Sequence, residues 1–294
     1  MTYKIIGDSC LDLTDELKKD ARFQMVPLTL QVDDAQVIDD ETFDQKSFLE
    51  LVKNGKECPK TACPSPEKFK EAFECGAENI FVITLSSHLS GTYNAAVVGK
   101  ELYEEEHGKD KNIAVVDSLS ASSGELNIAM KIRDLCEQEL PFDEVVKQAE
   151  SYRDSMETFF VLESLDFLRK NGRLTGLQAF FATTLNIKPI MAGDKGVIVK
   201  LEQARGMNKA LSRMADIAVS RGGDTKNKRL IIAHCNNRDR AEQVKELLCS
   251  RASFGEIVIT DTAGGVSHGV RRRRRYYCDS LNAAACRVHH MRKR

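Results

Sequence analysis

Apolar residues run along this chain in two alternating patterns: short continuous blocks, and longer stretches in which they recur at helical spacing. The blocks predict strands at 3–7, 25–32, 80–85, 113–116, 158–161, 187–191, 197–200, 230–234 and 256–260. The spaced stretches predict helices near 44–54, 65–75, 91–106, 122–139, 142–156, 163–170, 176–185, 206–220 and 237–249. Ser65-Pro66-Glu67 sets a capping residue before a first-turn proline and an acid, and Asn237 stands ahead of Arg238, Asp239 and Arg240. Strand alternating with helix from the first residues predicts an α/β protein with largely parallel sheets flanked by helices. A helix ending near 157–162, where a new strand–helix series begins, predicts two lobes with a ligand crevice between or beneath them. The expected division is 1–158, 159–270 and a basic tail, 271–294.

Composition narrows the class. With 42% hydrophobic and 30% charged residues among 294, the chain is neither collagen-like nor wholly disordered. No run approaches a membrane span, and the first residues lack the basic-then-apolar order of a signal peptide, so the expected compartment is the cytoplasm. Nine cysteines without a CxxC pair write no disulfide framework and no zinc knuckle; they are read as reduced thiols, and no metal is assigned. The net charge of −1 conceals two unlike parts. Residues 271–294 hold nine of the 43 basic residues and one of the 44 acids, leaving 34 bases against 43 acids in residues 1–270. An acidic body disfavours a nucleic-acid groove.

Candidate chemistry sits where strands end. Asp8-Ser9 follows the first strand and Asp117-Ser118 follows the fourth, at the ends of strands where open parallel sheets meet ligands; either pair also suits simple helix capping. Thr61 opens a turn expected to be stiffened by Pro64 and Pro66. Leu85-Ser86-Ser87-His88-Leu89-Ser90-Gly91-Thr92 leads from an apolar strand into a helix, gathering hydroxyls and free N–H groups where an anion is favoured. It has neither a P-loop lysine nor a GxSxG around Ser90. Arg173 and Arg205 fall in turns, where arginines are ordinarily solvated.

Taken in order, Asp-Ser at 8–9, Thr-x-x-Pro-Ser at 61–65, Ser-Ser-x-Leu-Ser-Gly-Thr-Tyr at 86–93, Val-Asp-Ser at 116–118, Asn-Gly-Arg at 171–173 and Lys-Pro-Ile at 188–190 resemble the DegV family. The resemblance spans residues 3–265. It implies a two-lobed α/β fold holding a long-chain fatty acid such as palmitate in an apolar tunnel, with no other cofactor. It also implies carriage of that acid rather than catalysis, with some members presenting the carboxylate to a separate fatty acid kinase. Carried onto this chain, the carboxylate-binding hydroxyls are Thr61 and Ser90, with Ser87, Gly91, Asp8 and Ser9 supporting, and Arg173 and Arg205 match arginines implicated in engaging the kinase. Leu177, Phe180, Phe181, Leu185 and Ile187 are candidate tunnel residues. After Gly265 the pattern departs from the family. Five arginines and a Cys/His/Arg-rich tail resemble a frameshift or altered terminus, the sheet is expected to lose its last strands, and no role passes to His268. Two alternatives are an enzyme of lipid or phosphate chemistry using the Asp-Ser loops, and a nucleic-acid or membrane-surface binder acting through the arginine tail. Transient membrane contact is compatible with the carrier reading.

Overall fold

The computed structural model describes residues 2–174 and 186–262, and the backbone of 280–286. In chain order the first part comprises β1 (Tyr3–Asp8), β2 (Phe23–Val26), β3 (Thr29–Val32), β4 (Ala35–Ile38), α1 (Gln45–Asn54), β5 (Lys60–Ala62), α2 (Pro66–Phe73), β6 (Asn79–Thr84), α3 (Thr92–His107), β7 (Asn112–Asp117), α4 (Ser123–Glu137) and α5 (Phe142–Asp154). The second comprises β8 (Met156–Leu162), α6 (Asp166–Lys170), β9 (Ile187–Asp194), β10 (Val197–Arg205), α7 (Met207–Gly222), β11 (Arg229–His234), α8 (Arg238–Cys249), β12 (Glu256–Asp261) and β13 (Ser280–Cys286). The helix expected at 176–185 lies outside the described residues. Among the described residues no helix is long and apolar enough to cross a membrane.

The first sheet is wholly parallel in the order β2-β1-β6-β7. Its strands are apolar on both faces because helices cover both. Ile6, Val82 and Ile113 pack with Phe69 and Phe73 of α2, while Ile5, Phe81 and Ile83 pack with Leu126 and Ile132 of α4. The block 25–32, expected as one strand, breaks at Pro27-Leu28 into β2 and β3. Proline has no N–H for a central ladder, and β3 turns away to pair with β4 and β5 in a small antiparallel sheet under α1.

The second sheet runs β10-β9-β8-β13-β11-β12 and is mixed, with β11–β12 its parallel pair. Lys195 and Gly196, both at positive φ, join β9 to β10, and a two-residue hairpin turn of that kind forces antiparallel neighbours. The sheet does not lose its last strands. Residues 280–286, from the segment set apart as a tail, form β13 between β8 and β11, where a missing strand would leave two rows of backbone polar groups unpaired. The lobes share α4, whose residues 123–130 are all buried, because it packs on β1 and β6 on one side and on β11 and β13 on the other.

Candidate functional site

The first sheet reverses its strand order between β1 and β6, and open parallel sheets meet ligands beside such a reversal. Asp8 ends β1 there. Its Oδ1 accepts the Cys10 N–H at 2.8 Å and its Oδ2 the Leu85 N–H at 2.7 Å, so one side chain ties the loops leaving both strands. Burial pushes the Asp8 carboxyl up to about 6, against two amides that favour its anion. Asp117, ending β7, accepts the N–H groups of Ser87 and Leu119 at 3.1 and 3.0 Å. Ser9 Oγ accepts the Leu28 N–H, and Ser118 Oγ donates to the Ser120 carbonyl. Both Asp-Ser pairs are committed to loop geometry.

That geometry carries strain. Leu119 and Ser122 hold φ of 50° and 57°, a left-handed backbone that costs about 1–3 kcal/mol at a residue other than glycine. Partners from elsewhere hold the loop: Ser120 Oγ lies 2.8 Å from Thr158 Oγ1 across the lobes, and Ser122 Oγ donates to the Asp12 carboxylate. A third clasp is the β9–β10 turn, whose Gly196 carbonyl accepts from Ser86 Oγ at 2.7 Å. Gly196 has φ of 86°, and a Cβ there would stand 2.7 Å from both His88 and Ser86, so only glycine lets the turn seat this closely.

Between these loops and the second lobe lies a cavity. Its described wall is mostly apolar, with Leu85, Leu89 and Leu119 from the first lobe and Phe160, Leu162, Phe167, Leu168 and Ile198 from the second. Thr61, Ser90 and Arg173 share that wall. Thr61 stands on β5 opposite Leu30, so the expected proline turn begins only after it. Ser90 Oγ lies 2.8 Å from Thr92 Oγ1 at the start of α3. Arg173 departs most from expectation: it is half-buried, not a solvated turn residue. Its Nε donates to the Leu89 carbonyl at 3.2 Å and its Nη1 to the Asn171 carbonyl at 2.8 Å, while Asn171 Nδ2 donates to Pro59 at 3.1 Å. The Asn-Gly-Arg turn therefore clips the Thr61 strand to the Ser90 loop. Arg173 is the one charged side chain in the described wall.

The remaining candidates lie elsewhere. Ser87 and Gly91 are exposed, Asp8 and Ser9 are buried behind the loops, and none of the four is in the wall. Arg205 is exposed at the end of β10 and also outside it. Leu177, Phe180, Phe181 and Leu185 lie outside the described residues, and Ile187 opens β9 away from the wall. Cys10, Ser120, Ser122, Thr158 and Ser164 line the cavity without having been singled out as site residues. Ser120 and Ser122 belong to a serine-rich run at 118–123 that is visible in the sequence.

Glu125, in the first turn of α4, is fully buried, and neither of its carboxylate oxygens has a hydrogen-bond partner. Burial, with Asp8 and Asp12 nearby, holds its carboxyl well above the usual range; the Ser122 amide tempers this without forming a normally aligned bond.

The chain is similar to known proteins over nearly its whole length. The family model described as an uncharacterised protein of the DegV family matches residues 2–267. The chain belongs to the DegV family. A DegV domain-containing protein of Streptococcus pneumoniae is 38% identical, covering 90% of this chain and 94% of its own. Among solved structures, a DegV family protein of Ruminococcus gnavus refined with vaccenic acid superposes with a TM-score of 0.90 at 43% identity, over 97% of this chain and 99% of that one. The fatty acid kinase B3 protein of Streptococcus pneumoniae, loaded with linoleic acid, superposes with a TM-score of 0.85 at 34% identity, over 97% and 99% of the two chains. The two-lobed layout is thus the DegV fold.

Proposed function

We propose that this protein binds a long-chain fatty acid in the cavity between its lobes, with the carboxylate toward Thr61, Ser90 and Arg173 and the acyl chain along the apolar wall. The observation that carries the reading is an apolar inter-lobe cavity with a single cation in its described wall, clipped beside two hydroxyls. The DegV family protein refined with vaccenic acid and the kinase B3 protein loaded with linoleic acid support it. A tail of about 15 methylenes gains at most about 12 kcal/mol gross on burial, whereas each hydrogen bond to a charged head group nets about 1.5–3 kcal/mol. The wall supplies the affinity and the polar groups set the orientation.

A finer reading follows from the likeness to the kinase B3 protein: the carboxylate is presented to a separate kinase, and chemistry on it belongs to that partner. Titrating delipidated protein with palmitate and with its methyl ester tests the site. Saturable binding of the acid at one equivalent, with the ester much weaker, is expected. An ester that binds as well as the acid would remove the head-group assignment, and failure of both would remove the function. Turnover of preloaded protein by a cognate kinase domain tests the finer reading.

A further inference from the structure

Asp8, Cys10 and Glu125 bring two carboxylates and a thiol together so that their ligand atoms all lie within 4.8 Å of one another. All three are buried, at 0%, 3% and 0% exposure. Three groups able to carry negative charge stand in the interior with no ion pair to any of them among the described residues, and burying such charge uncompensated costs several kcal/mol per ion. Asp8 is partly satisfied by the Cys10 and Leu85 amides, and the Cys10 thiol also bears on its carboxylate. Glu125 is the least satisfied: both oxygens are fully buried without a hydrogen-bond partner, and one of them reaches the cluster. A buried polar group with neither donor nor solvent calls for a missing partner.

We propose that Asp8, Cys10 and Glu125 bind one divalent transition-metal ion of the zinc type. The donor set selects the class: a thiolate beside two carboxylates suits a borderline ion, whereas magnesium and calcium take oxygen alone. Zinc-bound donors sit about 3.5 Å apart, so the cluster closes by about 1 Å through its side chains. The hydrogen bond that the Cys10 N–H donates to Asp8 Oδ1 presets two of the ligands, and α4 holds the third in its first turn. Cys10 also lines the inter-lobe cavity, the side from which an ion would enter. On binding, the Cys10 S–H bond breaks, sulfur keeps the electron pair and donates it to the metal, and the proton leaves to solvent, as does any proton held by a carboxyl.

The test uses full-length delipidated protein incubated with zinc or cobalt chloride and freed of excess metal. Expected is one more equivalent of zinc on wild type than on Cys10→Ser. The cobalt form should show a near-ultraviolet thiolate-to-metal band that Cys10→Ser lacks, with Glu125→Gln weakening uptake at least tenfold. X-ray absorption of the zinc protein needs no variant and should show one sulfur at about 2.3 Å with oxygens at about 2.0 Å. A band and stoichiometry unchanged in Cys10→Ser would put the metal on other thiols or the histidines of the tail and overturn the assignment. So would a wild type that takes up no ion at all; Glu125→Gln should then raise Tm, because a proton on Glu125 would be what satisfies the site.

Discussion

Replacing Gly193 with leucine should shorten the acyl chain that the cavity accepts. Gly193 lies within β9, between Ile198 of β10 and Thr158 of β8, and its backbone has no positive φ, so a side chain enters without strain. A Cβ built there meets Thr158 at 3.8 Å and the Leu119 carbonyl at 3.9 Å, which is ordinary contact, and both neighbours line the cavity. Leucine adds about four carbons where the acyl chain is proposed to run. Excluding about four methylenes at about 0.8 kcal/mol each removes about 3 kcal/mol, or roughly a hundredfold in Kd. Glycine is also a weak strand residue, so Tm should hold or rise. Competition against a fluorescent acid reads the effect. Palmitate should lose about a hundredfold while laurate, about four methylenes shorter, should keep nearly its wild-type affinity. Equal loss for both acids would indicate distortion instead of filling, and no loss for either would place the acyl chain elsewhere; both results would refute the reasoning.

Three other outcomes are expected. Thr61→Ala with Ser90→Ala should weaken acid binding by about 3–6 kcal/mol in the same competition assay and leave methyl ester binding unchanged, since two hydrogen bonds to a charged group are lost. Arg173→Met should cost the acid about 1.5–3 kcal/mol and lower Tm, because the bond to the Leu89 carbonyl goes as well; an unchanged affinity would return Arg173 to a purely structural part. Burial holds the His234 imidazole below its ordinary pKa of 6.5. Its contribution to stability is therefore complete above pH 6.5 and declines as pH falls toward the lower folded value, and denaturant titrations of His234→Gln should show a flatter acid limb.

How far the site was legible depended on whether the deciding contact was local. Asn237 was readable as a cap, and its side chain accepts from the Arg240 N–H at 3.1 Å. Thr61, Ser90 and Arg173 could be named from an ordered set of motifs, yet their meeting in one wall depends on the Asn171 and Arg173 bonds to Pro59 and Leu89, which no local pattern encodes. The same limit hid Arg173's burial: a turn after a short helix looks solvated until the first lobe packs against it. Strand direction was equally hidden, because hydrophobic period marks a strand but not its neighbour. β13 was missed for a related reason. A basic, Cys/His-rich context masked a strand whose place is set by the open edges of β8 and β11.

Denaturing extraction and mass spectrometry of what the purified protein carries tests whether a fatty acid is held between the lobes. A long-chain acid close to one equivalent per chain is expected, replaced stoichiometrically when the protein is delipidated and offered palmitate. Protein that is reproducibly empty and also refuses added acid would contradict it.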